Sequence, residues 1–230
     1  WLEGIRVDPA ARRQGIGREL TARAMAIARE RGAVVARLFT SSDNTASQAM
    51  VTGLGFDQVA AFVRYRATAE SLPEPETIPP GATLRTASLA DLDTLWSYLK
   101  GSNLVPLNGG LIVDGWVARA LTRSVLETRL DSGDVLALEA WEQIQALAVL
   151  RTDVGEDDEE GTSRLVAEYV DGMAEWIGRL ARALRGLAAR RGLERVVVAL
   201  PSLLILHDAM DGAGFQRPGS HELWCYARQV

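Results

Sequence analysis

The sequence predicts an α/β protein, with strands in a mixed central sheet flanked by helices, built as two tandem copies of one strand–helix unit. Three observations carry that expectation. Amphipathic stripes of helical period alternate with short valine-rich runs, the order that lays helices on a sheet. The succession helix, Gly32, Val-rich strand, helix, Gly53-Leu54-Gly55-Phe56 recurs as helix, Gly192, Val-rich strand, helix, Gly212-Ala213-Gly214-Phe215. From glycine to phenylalanine is 24 residues in the first copy and 23 in the second. Between the copies, Glu70-Ser71-Leu72-Pro73-Glu74-Pro75-Glu76-Thr77-Ile78-Pro79-Pro80-Gly81 sets prolines among acidic residues, which disfavours helix and sheet alike. The expected division is 1–68, a linker at 69–81, and 82–230.

The elements follow in order. Trp1 to Val7 reads as an apolar strand, stopped by Asp8-Pro9. Gly15 to Arg31 reads as a helix with the stripe Ile16, Leu20, Ala24, Ile27 and Ala28, ended by Gly32. Ala33 to Phe39 is a buried-type strand. Asp43-Asn44 can cap a helix to about Gly53, and Gly55-Phe56 turns into a strand through Val63 and Tyr65. In the second part a strand at Ala82 to Arg85 precedes Ser88-Leu89-Ala90-Asp91, a capping box with Asp in place of Glu or Gln. That box opens a helix with Leu92, Leu95, Trp96 and Leu99 on one face. A helix is expected around Trp116 to Leu130, then strands at Val135 to Ala140 and Ile144 to Arg151 about a turn near Trp141. Asp153 to Glu160 is an acidic loop. A strand (Leu165 to Val170), a long helix (Met173 to Leu187), a strand (Val196 to Leu200), a helix from Ser202 and a strand near Leu223 to Arg228 complete the chain.

Composition narrows the function. With 230 residues, 47% of them hydrophobic, the chain can bury a real core. A net charge of -5 argues against nucleic acid as the partner, because phosphate backbones need a basic face. Cys225 is the single cysteine, and His207 and His221 are the two histidines, so neither a disulfide nor a histidine-built metal site is expected. No long apolar run and no signal peptide is evident, so no membrane partner is expected and the cytoplasm is the default compartment. Trp96, Trp116, Trp141, Trp176 and Trp224 are expected mostly in the core, as are Cys225 and Tyr65, with His207 a partly buried structural residue.

The stretch that carries chemistry is Val7-Asp8-Pro9-Ala10-Ala11-Arg12-Arg13-Gln14-Gly15-Ile16-Gly17-Arg18. A strand ends, a basic loop follows, and glycines open a helix. Unpaired amides and the positive end of the helix dipole favour an anion there, and Arg12, Arg13 and Arg18 add charge. A dinucleotide fingerprint would need a third glycine where Leu20 stands, and a kinase-type loop would need Gly-Lys-Ser/Thr.

This stretch resembles the GNAT superfamily of N-acetyltransferases, whose signature is Arg or Gln, two residues, Gly, one residue, Gly or Ala. Arg12, Gly15 and Gly17 satisfy it after Val7-Asp8-Pro9, and Asn44 with Gly55-Phe56 matches the family's downstream spacing. The resemblance implies a tandem GNAT fold whose first copy lacks its N-terminal strands, with acetyl-CoA as cosubstrate, no metal, and a primary amine of a small molecule or amino acid as acceptor. A homodimer is left open. It implies that the backbone of Ile5, Arg6 and Val7 pairs with the pantetheine arm. The amides of Gln14, Gly15, Ile16, Gly17 and Arg18 would hold the pyrophosphate beside Arg12 and Arg13, and Asn44 would contact the pantetheine. Glu3 is the candidate base, or alternatively holds a cationic substrate or pairs with Arg6 or Arg37.

The chain departs from the family in three ways. Val51 stands where many members place a tyrosine general acid. The second copy carries Asp171 and Glu175 where a pyrophosphate would bind, so it is expected to be a scaffold or substrate wall. The front strands of a complete domain are absent. Either about 60 to 80 residues are missing before Trp1, or the second half or another chain covers the open edge. A non-catalytic acyl-CoA-binding module is the rival reading.

Overall fold

A computed structural model describes residues 1–71, 78–154, 162–217, 219 and 221–230. The expected linker prolines Pro73 and Pro75 and most of the acidic loop lie outside the described residues. The N-terminal part contributes α1 (Ile16–Glu30), β1 (Val35–Ser41), α2 (Thr45–Thr52) and β2 (Asp57–Thr68). The rest contributes β3 (Ala82–Thr86), α3 (Leu92–Lys100), α4 (Leu104–Leu107), β4 (Leu111–Asp114), β5 (Val117–Ala120), α5 (Arg123–Asp131), β6 (Val135–Ala140) and β7 (Gln143–Val154). There follow β8 (Ser163–Gly172), α6 (Ala174–Arg190), β9 (Arg195–Pro201), α7 (Leu204–Gly212) and β10 (Leu223–Gln229).

Eight of these strands form one sheet in the order β1-β10-β2-β9-β8-β7-β6-β3, and β4 and β5 form a separate hairpin. The order shows an exchange. The last strand of the second half, β10, pairs with β1, and the last strand of the first half, β2, pairs with β9. The registers match as a pseudo-two-fold: Val35 faces Gln229 and Ser41 faces Leu223, while Arg195 faces Thr68 and Pro201 faces Phe62. The bonds beyond the strand ends match as well. Val230 N donates to Val34 O at 3.1 Å where Ala69 N donates to Glu194 O at 2.8 Å, and Ser42 N reaches Glu222 O as Ser202 N reaches Ala61 O. The repeat read from the glycines is therefore a structural repeat, and the second half does cover one flank of β1.

The other flank of β1 differs from the expectation. Residues 1 to 7 form no strand; Leu2 N donates to Arg37 O at 2.8 Å, and Gly4 with φ +73° then turns the chain out of extended geometry. By contrast β8, the counterpart in the second half, runs parallel to β9 over four residue pairs, from Arg164–Arg195 to Ala167–Val198.

Strand alternation assigns the layers. Thr40, Trp224 and Ala61 form one row, and Val63 and Leu200, two rows on, share its face. That face receives both helix pairs. Met25, Val51 and Phe56 pack with Ala36 and Leu38 under α1 and α2, and Leu180, Leu184, Leu206 and Met210 pack with Val198 and Leu200 under α6 and α7. The opposite face receives the β4–β5 hairpin on Phe62, Leu223 and Cys225, and α3 and α5 on Leu147 and Val149.

Three expectations are corrected. The buried face of α1 is Thr21 and Met25, whereas Leu20 is 45% exposed, because the position of α2 and the sheet, not the local stripe, decides which face is covered. The helix expected at 116–130 begins only at Arg123. Gly115-Trp116 makes a two-residue hairpin turn between the apolar runs of β4 and β5 instead, with Gly115 supplying the positive φ of +57° at its first position. Trp116 sits in that turn and Trp141 in the β6–β7 turn, and both are exposed rather than core. Asp91 does close the capping box on Ser88 N at 2.8 Å and also holds Arg85.

Candidate functional site

The basic loop is built by local bonds. Asp8 accepts Ala10 N at 2.8 Å and caps a single 3-10 turn, Pro9–Ala11. Arg12 Nε then reaches Val7 O at 3.4 Å, and Arg13 and Gly15 both take positive φ, +63° and +82°, to swing the chain into α1. Gly15 is the N-cap and offers no side chain. The first amide in the α1 ladder is that of Glu19, donated to Gly15 O at 3.1 Å. Among the described residues nothing accepts from the amides of Ile16, Gly17 and Arg18, which therefore point past the helix start together with its dipole. Arg12, Arg13 and Arg18 are exposed, and none is ion-paired among the described residues. An added Cβ at Gly15 would meet no atom within 4 Å, so the space over this turn is open.

Gly17 also has a packing role. A Cβ there would stand 3.2 Å from Met50 Sδ, so this glycine sets the close approach of α1 to α2. Arg18 ties the same pair, donating to Gly53 O at 3.4 Å.

The loop after β1 is held from both halves. Asn44 Oδ1 accepts Ser47 N at 3.1 Å and caps α2, which leaves its amide NH2 as a donor. Gln48 Nε2 donates to Ser41 O and Ser42 O at 3.0 and 2.9 Å, and Ser42 Oγ accepts Glu222 N at 3.0 Å. The Glu222 carboxylate accepts from Ser202 and from Trp224 Nε1, and these bonds hold it below the usual carboxylate range. Val51 is 1% exposed, turned into the core beside Met25 and Phe56, so its position faces away from any ligand.

Glu3 is exposed and pairs with neither Arg6 nor Arg37 among the described residues. It borders a cavity of about 430 Å³ whose other walls come from β2, β7, β8, β9 and the β4–β5 turn. Ile5 is 37% exposed, and Arg6 is exposed beside the half-buried Val7.

In the second half no comparable loop exists: β8 ends at Gly172 and α6 begins at Ala174. Asp171 does not face a phosphate position as expected. It is 2% exposed and accepts from Ser102 Oγ at 2.7 Å and Tyr169 OH at 2.6 Å; burial pushes its carboxyl up while those hydroxyls pull it back. Glu175 pairs with Arg179 on α6 at 2.9 Å. His207 is half-buried with Nδ1 hydrogen-bonded to the buried Tyr65 hydroxyl, which burial pushes up. That pair joins a first-half strand to a second-half helix, and spacing along the chain offered no signal for it. Among the described residues no group of three or more His, Cys, Asp or Glu could hold a metal, and no helix is long and apolar enough to cross a membrane.

Residues 1–56 match the model of the Acetyltransferase (GNAT) family. Among curated proteins no sequence matches the chain. A GCN5-related N-acetyltransferase structure from Sphaerobacter thermophilus superposes with a TM-score of 0.64 at 15% identity, covering 97% of this chain and 70% of that one. A tandem GNAT protein from the clavulanic acid biosynthesis pathway gives 0.53 at 16% identity, covering 97% and 73%. A GNAT-family acetyltransferase from Colwellia psychrerythraea gives 0.52 at 14%, covering 97% and 76%. Residues 1–56, which carry Arg12, Gly15 and Gly17, thus resemble the GNAT family, and the whole chain shares with these structures the fold of a mixed sheet flanked by helices.

Proposed function

We propose that the protein is an acetyl-CoA-dependent N-acetyltransferase that works by direct transfer to a primary amine. The observation that carries this is the start of α1, where three amides without acceptors follow a loop bearing the exposed Arg12 and Arg13, within the segment that matches the GNAT family. These amides suit a diphosphate, for which they and the helix dipole supply fixed positive partial charge. Arg12, Arg13 and Arg18 add charge-assisted contacts at its rim. The backbone groups of Ile5 and Arg6 and the amide of Val7 make no hydrogen bond among the described residues and can bond a pantetheine arm, and the Asn44 amide can donate to it. Bound acetyl-CoA supplies the activated acyl group.

Glu3 is the proposed base. An alkylamine has a pKa near 10.4 and arrives protonated, so its proton must leave before nitrogen attacks the thioester carbonyl. Glu3, on the segment beside the thioester, can take that proton directly or through water. The thiolate then leaves and is protonated by solvent, since Val51 offers no acid. The buried Val51 also favours a second reading, a coenzyme-binding module without turnover. Release of free thiol from acetyl-CoA across an amine panel separates the two. We expect turnover that Glu3→Gln lowers by roughly 10²-fold or more, within the usual range for a general base. Tight coenzyme binding without thiol release from any amine would favour the module.

A further inference from the structure

We propose that the acceptor is an aliphatic amine that also carries a carboxylate, bound in the cavity beside the β4–β5 turn with its amine toward Glu3 and its carboxylate on Arg66. This deepens the acetyltransferase reading and rests on it. The cavity of about 430 Å³ is of the size that holds a small metabolite. Glu3 is the one residue it takes from the N-terminal segment. Everything else in its wall comes from strands of the shared sheet and from the β4–β5 hairpin, and it draws on β2 from the first half beside β7, β8 and β9 from the second.

The charges in the wall are unequal. Two carboxylates, Glu3 and Asp114, face four guanidiniums, those of Arg64, Arg66, Arg151 and Arg164. Asp114 is already engaged by Arg151 at 2.5 Å and Arg119 at 3.6 Å. Arg151 also approaches the buried Glu168, at 3.5 Å. Arg64 donates to Gly115 O and lies 4.7 Å over the Trp116 ring, which fixes the turn against β2. Arg66 is different: it is half-buried, and no carboxylate pairs with it among the described residues. A guanidinium drawn partly out of water gains most from a planar anion that it can grip with two N–H groups. Between these poles the floor is apolar and small, formed by Val166, Ala167, Val197 and Ala199, which suits a short methylene spacer. A polyamine or an uncharged amine is disfavoured, because either would leave Arg66 facing no counter-charge.

Calorimetric titration tests this without requiring turnover. Wild-type protein saturated with coenzyme A is titrated with the ω-amino acids from glycine to 6-aminohexanoate, and with the primary amide of each. We expect at least one amino carboxylate to bind roughly ten- to a hundredfold more tightly than its amide, the range of a charge-assisted hydrogen bond. Arg66→Gln should remove that advantage, Arg66→Lys should restore part of it, and the dissociation constant of coenzyme A should be the same in all three proteins. Equal binding of acids and amides, no binding of any amino carboxylate, or an advantage that survives Arg66→Gln overturns the proposal even if coenzyme A binds. Failure of coenzyme A to bind, with the amino carboxylates still distinguished from their amides, overturns the acetyltransferase reading instead.

Discussion

Replacing Phe62 by alanine tests whether the strand exchange makes the two halves one folding unit. Phe62 is 2% exposed on β2, between Leu223 of β10 and Pro201 of β9, and its ring meets Phe39 edge-on at 6.0 Å. It packs with Leu111, Val113 and Cys225 from the hairpin and β10, so one side chain contacts elements from both halves. Truncating a buried phenylalanine costs about 3–5 kcal/mol in lost transfer energy and residual cavity. For a chain of this size each kcal/mol lowers the melting temperature by about 2–4 °C, so a drop of roughly 6–20 °C is expected. Guanidinium titration followed by tryptophan fluorescence and far-ultraviolet circular dichroism should give one transition whose midpoint moves in both signals. Amide exchange should accelerate together in β1 and in β8, which lie on opposite sides of the exchanged pair. Protection that falls in β1 while β8 is unchanged, or a loss below about 1 kcal/mol, would refute the reasoning.

Three further outcomes follow from individual side chains. Asp91 is held down to about 2 chiefly by its hydrogen bonds from Arg85, so its contribution is complete above the unfolded value of 3.8 and is lost as pH falls toward 2. Asp91→Asn should therefore cost about 1–2 kcal/mol at neutral pH, and the gap from wild type should close between about pH 4 and 2; a gap independent of pH would contradict the assignment. Burial pushes the Cys225 thiol up to about 12, so at pH 8 an aromatic disulfide reagent should label it only as fast as the protein opens; immediate labelling of the native protein would contradict its place in the core. Val51→Tyr should not supply the missing acid. With Val51 1% exposed, the larger ring should destabilise by about 1–3 kcal/mol, seen in thermal melts, and leave turnover no faster than wild type.

Much of this protein was legible in its sequence because the relevant signals are local. The paired Gly-Phe turns marked the repeat, and the αL cap at Gly15 follows from a glycine between a basic loop and a helix. What could not be read depends on partners distant in the chain. Nothing in β2 or β10 says that each will pair with the other half's strand, because exchanged and unexchanged pairings bury the same alternating faces. The identity of Thr21 and Met25 as the buried face of α1, over Leu20, is likewise decided by where α2 docks. Asp171 looked like a surface acid beside a helix start, yet Ser102 and Tyr169, 69 and 2 residues away, turn it into the core. The Gly115-Trp116 turn lies inside what reads as a helical run, and it is set by the pairing of β4 with β5.

The claim on which the account turns is that the start of α1 grips the diphosphate of coenzyme A. Acetyl-CoA titrated into ¹⁵N-labelled protein tests it most directly. The account predicts saturable shifts of the Ile16, Gly17 and Arg18 amides, with a dissociation constant that rises with salt as expected for exposed arginines. Unmoved resonances at those three amides, with shifts elsewhere or nowhere, would contradict it.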